Sequence, residues 1–156
     1  MDWPLLLRWL HVIGATVLLG TGVGIAFFMA MAVRGGRPAF IAETAALVVR
    51  ADWIFTASAV VLQPVTGLLL AEALGYELRE PWILLSLALY LATGLFWLPV
   101  VWIQQQLRDL ARAAVADGSP LPPRFRRLYR LWLACGVPAF LAVLTIIWLM
   151  LARPPL

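Results

Sequence analysis

Four uninterrupted apolar runs, at residues 5–32, 53–74, 82–103 and 131–151, decide most of what this chain can fold into. Each is long enough to cross the hydrocarbon core of a bilayer as a helix, which takes about 20 mainly apolar residues. The runs are continuous rather than alternating, so a membrane barrel with its two-residue period is not expected. Composition agrees, because 63% of the residues are hydrophobic and 13% are charged, against about a quarter charged in soluble domains. The sequence therefore predicts an all-α polytopic membrane protein, a four-transmembrane-helix bundle in which residues 1–156 make one domain with the lipid bilayer as its partner.

A formal net charge of +4 would suggest nucleic acid in a soluble protein, but all twelve basic residues are arginines and they sit mainly between the runs. Arg34, Arg37 and Arg50 flank the first connection, and Arg108, Arg112, Arg124, Arg126, Arg127 and Arg130 crowd the third. The second connection is acidic on balance, with Glu72, Glu77 and Glu80 against Arg79. Under the positive-inside rule this predicts a multi-pass protein of the bacterial inner (cytoplasmic) membrane with both termini outside. Met-Asp-Trp-Pro at the start lacks a basic region, so the first run is expected to stay in place rather than be removed as a signal peptide. No nucleotide loop, nucleophile triad, zinc motif or nucleic-acid module is recognisable, and whether the protein is an enzyme stays open. Cys135 lies alone inside the fourth run, where it reads as a small core residue.

The first run carries the only histidine, His11. At 100° per residue, Thr16, Gly20 and Gly24 align on the side away from it, a stripe of small residues that lets helix backbones approach. The helix is expected to pack on that stripe, within the bundle or in a homodimer, and to present His11 elsewhere. After Gly35-Gly36, Pro38 suits the first turn of a new helix, and a short interfacial helix leading into the second span is expected. One continuous helix from Pro38 to Leu74, roughly 55 Å long, is the alternative.

Inside the spans, Asp52, Thr56, Gln63 and Gly67 share one helical face, and Ser86, Tyr90, Gly94, Trp97 and Gln104 share another. Polar stripes at membrane depth should turn inward. Pro64, Pro99 and Pro138 each free a carbonyl that a neighbour must satisfy. Tyr129 and Trp132 mark the membrane interface at the start of the last span. By depth, His11, Gln63, Tyr90 and Thr145 all lie about six to eleven residues from the outer ends of their helices, roughly 9 to 16 Å, which suggests a shared outer-leaflet pocket. Gly14, Ala15 and Gly22 beside His11 would leave room there, with Arg8 and Trp9 at its mouth. Asp52, at the arginine-rich end of its span, reads as a solvated carboxylate or as the partner of Arg50 or Arg108.

GTGVGIAFFM in the first span, Asp52-Trp53 followed by IFTASAVVLQPVTGLLLA, and GVPAFLAVLTIIWLM in the last resemble a bacterial family of predicted integral-membrane proteins, the domain of unknown function numbered twenty-two sixty-nine. The resemblance covers nearly the whole chain and implies a four-span inner-membrane protein without implying an activity. A tryptophan-containing first span with an early histidine is more distantly similar to the membrane domain of copper-resistance protein D and to the haem-dependent four-helix protoporphyrinogen oxidase. That likeness implies haem b with His11 as a ligand, while the further ligands of the pattern have no match here.

Three kinds of function stay open. A ligand-binding or redox protein would hold haem or a small apolar molecule around His11, Gln63, Tyr90, Trp97 and Thr145, with Arg8 meeting a propionate; alternatively, His11 is a hydrogen-bonded structural residue and Arg8 pairs with Glu72. A permease or channel would use Asp52, Thr56, Gln63 and Gln104 as its path. A scaffold would hold a partner or a second copy through Thr16, Gly20 and Gly24. No metal site is expected unless His11 binds haem.

Overall fold

A computed structural model describes residues 2–155 as long helices joined by short turns. The first helix, α1 (Trp3–Gly35), opens with a proline in its first turn, where a missing N–H breaks no bond. It closes at Gly36, whose φ of 68° suits glycine and whose N–H reaches back to the Val33 carbonyl at 3.1 Å. Pro38 starts α2 (Pro38–Ala51), which is followed by a π-helical turn (Asp52–Thr56) and α3 (Ala57–Ala73). Pro81 and Pro123 begin α4 (Pro81–Ala116) and α5 (Pro123–Ala152) in the same way. Four rods result, each long and apolar enough to cross a membrane. Phe28, Leu95 and Leu151 stand outward at 62%, 73% and 81% exposure, an apolar exterior that water would penalise and lipid accepts.

The short interfacial helix expected before the second span is not a separate element. α2 runs through the π turn directly into α3, so Pro38–Ala73 is one rod of 36 residues, roughly 54 Å at 1.5 Å per residue. No glycine or proline falls between Pro38 and Pro64 to break it. On either side of the turn, Ala51 and Ala57 keep helical φ/ψ angles of −61/−40° and −62/−40°.

This long rod determines where the core sits. At the arginine-rich end α2 lies against α4 and α1, and α5 lies along α4. Met29, Ile41, Ala45, Ile103, Leu107 and Phe125 are each at most 2% exposed there and form one continuous core. Toward the other end α3 packs on α1 while α4 stays with α5, and the two pairs part. A smaller cluster of Trp82, Ile83 and Leu149 closes the far end of the α4/α5 pair. Arg153 caps it, donating to the Tyr76 hydroxyl and lying 5.0 Å from the Tyr76 ring centre and 5.8 Å from that of Trp82.

Packing on the small stripe of α1 is also not what the structure shows within the chain. Gly20 and Gly24 have open space where a Cβ would stand, and the exposed Thr16 turns its hydroxyl back to the Val12 carbonyl at 2.9 Å. The face that packs is the one carrying His11. Gly14 and Gly67 permit it: a Cβ on Gly14 would overlap the Gln63 amide, and one on Gly67 would lie 3.0 Å from His11 Cε1. Close approach depends here on two glycines facing the side chains of a neighbouring helix, rather than on a row of small residues along one helix.

Candidate ligand-binding cavity

The parting of the two helix pairs leaves a cavity of about 490 Å³ among α1, the π turn, α3, α4 and α5, within the size range of small-molecule sites. Leu18, Gly22, Val60, Gly94, Gly136 and Phe140 are among the residues that make its walls, which are overwhelmingly apolar. Its arginine-proximal end is different, because Asp52, Thr56, Gln104 and Trp132 all reach it. These four are 4%, 8%, 4% and 5% exposed. Each carries a buried polar atom with no hydrogen-bond partner: Asp52 Oδ2, Thr56 Oγ1, Gln104 Oε1 and Trp132 Nε1. The Thr56 hydroxyl stands close to the Asp52 carboxyl without bonding geometry. Buried polar groups are nearly always paired in folded proteins, so four bare ones at one end of one cavity call for an explanation.

Local backbone chemistry builds this arrangement. The π turn adds one residue to a helix of 3.6 residues per turn and so rotates the residues beyond it by about 100°. The stripe expected to run from Asp52 to Gly67 is thereby divided. Asp52 and Thr56 face the cavity, while Gln63 and Gly67 face α1. Farther along, Pro64 has no N–H to offer the carbonyl four residues before it, that of Val60. Tyr90 Oη donates to that carbonyl from α4. This bond ties α3 to α4 across the cavity and accounts for a phenol at this depth. Trp97 Nε1 donates to Asp52 Oδ1 at a long 3.4 Å.

Asp52 is therefore neither solvated nor paired with Arg50 or Arg108. Arg108 bonds Asp109 at 2.8 Å, the one ion pair among the described residues, so an Arg8–Glu72 pair is not formed either. Arg108 is engaged at the surface, Arg50 points outward and is exposed, and Asp52 lines an apolar space with no cation beside it.

Of the residues expected to share a pocket, the structure unites Gly22, Tyr90 and Trp97 in the cavity wall and places His11, Gln63, Thr145 and Arg8 elsewhere. His11 and Gln63 meet at the α1/α3 seam. Gln63 Nε2 donates to the His11 carbonyl at 2.8 Å, and His11 Nδ1 lies 2.9 Å from Thr66 Oγ1. The Thr66 hydroxyl directs its one proton to the Leu62 carbonyl at 2.7 Å, so it accepts from His11 Nδ1–H. Thr145 is exposed and bonds the Leu141 carbonyl of its own helix at 2.9 Å, and Arg8 is exposed. Depth matching failed because it carries no azimuth: two residues at one level can face different neighbours. A haem held by His11 in this cavity does not fit, since the imidazole lies against Thr66 and Gly67 and is no part of the lining.

Trp132, expected only to mark the membrane interface, supplies the one unpartnered N–H at the cavity end. Its signal in the sequence is the spacing Trp132, Gly136 and Phe140 on one face of α5, two large side chains bracketing a gap.

The profile of one family, described as "Predicted integral membrane protein (DUF2269)", matches residues 5–154. The chain belongs to that family. No curated protein and no solved structure matches it significantly. What this DUF2269 chain does must accordingly be argued from the cavity itself.

Proposed function

We propose that this DUF2269 protein binds a small apolar or amphipathic molecule inside the bilayer, in the cavity walled by Tyr90 and Trp97. One observation carries the reading: Asp52, Thr56, Gln104 and Trp132, the residues whose buried polar atoms lack partners, all line the same apolar cavity, those atoms lying just beneath its wall. An unmet polar atom in hydrocarbon is costly, so a chain that gathers four of them in the wall of one cavity has a use for a guest that small side-chain shifts would let them meet. The cavity lies between helices that are firmly packed at the arginine-rich end. A guest would reach it from the lipid phase without unfolding the core.

By the distribution of arginines, the core-bearing end faces the cytoplasm of a bacterial inner membrane and both termini face out. The cavity's polar end then lies in the cytoplasmic half of the bilayer. This departs from a pocket centred on His11 in the outer leaflet. His11, Gln63 and Thr66 serve the site indirectly, by fixing α1 on α3 and so holding one wall. The open stripe Thr16, Gly20 and Gly24 is left free for a second copy of the chain.

The test compares wild type with Gly136→Phe, purified in mild detergent and analysed by mass spectrometry for bound small molecules. Gly136 lines the cavity and has no atom within 4 Å of an added Cβ, so phenylalanine should fill the space without disturbing the helices. A molecule present in wild type and lost from Gly136→Phe supports the reading. Equal content in both would end it. A visible absorption spectrum of the same samples checks for haem, and a haem band that disappears in His11→Ala would return His11 to the site.

A further inference from the structure

The chemistry of the cavity's polar end specifies more than a hydrophobic guest. We infer that the ligand is a hydroxyl-headed amphipath, its hydroxyl seated among Asp52, Gln104 and Trp132 and its apolar body lying along the walls toward Phe140; this rests on the reading that the cavity binds a ligand at all.

The donors and acceptors left unpartnered in the cavity wall decide the head group. Asp52 Oδ2 and Gln104 Oε1 are acceptors in want of a proton, and Trp132 Nε1 is a donor in want of a lone pair. They belong to three separate elements, the π turn, α4 and α5, whose residues line the same cavity. A hydroxyl gives its proton to Gln104 Oε1 while its oxygen accepts from the indole, and the Thr56 hydroxyl beside the Asp52 carboxyl is left to turn its own proton to Oδ2. An ammonium has protons only and leaves Trp132 bare. A ketone carbonyl accepts only and leaves Gln104 bare. An alkane answers none of them. Ordered water could meet the same atoms, but it would leave the apolar walls of a 490 Å³ space unfilled. On charge alone the Asp52 carboxyl favours a cationic head, but such a head carries no lone pair for Trp132 Nε1 and leaves that N–H unmet.

Four probes with the same chain separate these cases: dodecan-1-ol, dodecylamine, 2-dodecanone and dodecane. Their effect on the unfolding temperature of the purified full chain in detergent is measured for wild type and for Gly136→Phe, with Gly94→Phe on the facing helix as a second blocked form. Gly94 also has open space at its Cβ position. Dodecan-1-ol should stabilise wild type most, and neither blocked form should respond. Gln104→Leu and Trp132→Phe should each weaken the alcohol about tenfold while leaving the dodecane response unchanged. If all four probes act equally on wild type and none on the blocked forms, the cavity binds but reads no head group, and the hydroxyl assignment falls alone. A larger response to the amine or the ketone overturns it in favour of that head group. If wild type and both blocked forms respond alike, the assignment and the binding reading fall together.

Discussion

Two polar regions of this bundle, about a dozen residues apart along the same rod, meet the membrane in opposite ways. At the α1/α3 seam no fully buried polar atom lacks a partner: Gln63 serves the His11 carbonyl, Thr66 takes the His11 Nδ1–H, and glycines at 14 and 67 bring the helices close enough for both. At the cavity end Asp52, Thr56, Gln104 and Trp132 are more deeply buried than His11 and Gln63, yet each keeps a polar atom without a partner. The seam is what a structural polar network looks like in lipid, its buried atoms paired between two helices that lie close together. The cavity has the residue types of a network without its closure, and that difference separates a binding site from a packing device.

The contrast can be broken most forcefully at the seam. Gly14→Leu would drive a branched side chain into Gln63 and Leu62, and by overpacking should cost about 1–3 kcal/mol, seen as a lowered unfolding midpoint in detergent. His11→Ala removes the imidazole that fills the space beside Gly67 and should cost on the order of 1–3 kcal/mol, without changing what the cavity holds. A ligand lost from His11→Ala at unchanged stability would erase the distinction between the two regions. At the cavity end the sign should differ. Gln104→Leu removes a buried oxygen that has no partner, so stability in the empty protein should be unchanged or rise by up to about 1 kcal/mol. A fall of about 2 kcal/mol or more, on the order of a lost paired group, would mean that Gln104 is satisfied after all.

Smaller effects sharpen the picture at the surface. Gly20→Leu should leave the stability of the single chain unchanged, because the stripe faces away from the bundle. A change in oligomer size on a sizing column would assign that stripe to a second copy. Asp109→Asn breaks the exposed pair with Arg108 and should move the unfolding midpoint by no measurable amount, as exposed pairs contribute about 0–1 kcal/mol.

The spans were legible because length and apolarity are read one residue at a time, and Pro38 marks a helix start by a steric rule that needs no neighbours. The need of the Val60 carbonyl was legible in the same way from Pro64, although Tyr90 as its donor was not. The features that escaped all depend on rotation about a helix axis. One extra residue in the π turn divides Asp52 from Gln63, and a wheel drawn at constant pitch cannot show that. The stripe at Thr16, Gly20 and Gly24 is regular along its own helix, yet the glycines that bring α1 and α3 together are Gly14 and Gly67, and neither belongs to a repeat. Trp132 was hidden by its position at the start of a span, where tryptophan is ordinary at the lipid interface.

The most direct test sets one residue of each region against the other: the affinity of dodecan-1-ol for His11→Ala and for Trp132→Phe, measured side by side with wild type under identical detergent conditions. The closed seam and the open cavity predict an affinity unchanged in His11→Ala, whose stability falls, and about tenfold weaker in Trp132→Phe, whose stability holds. The reverse pattern, with binding lost in His11→Ala and kept in Trp132→Phe, would contradict the account at its centre.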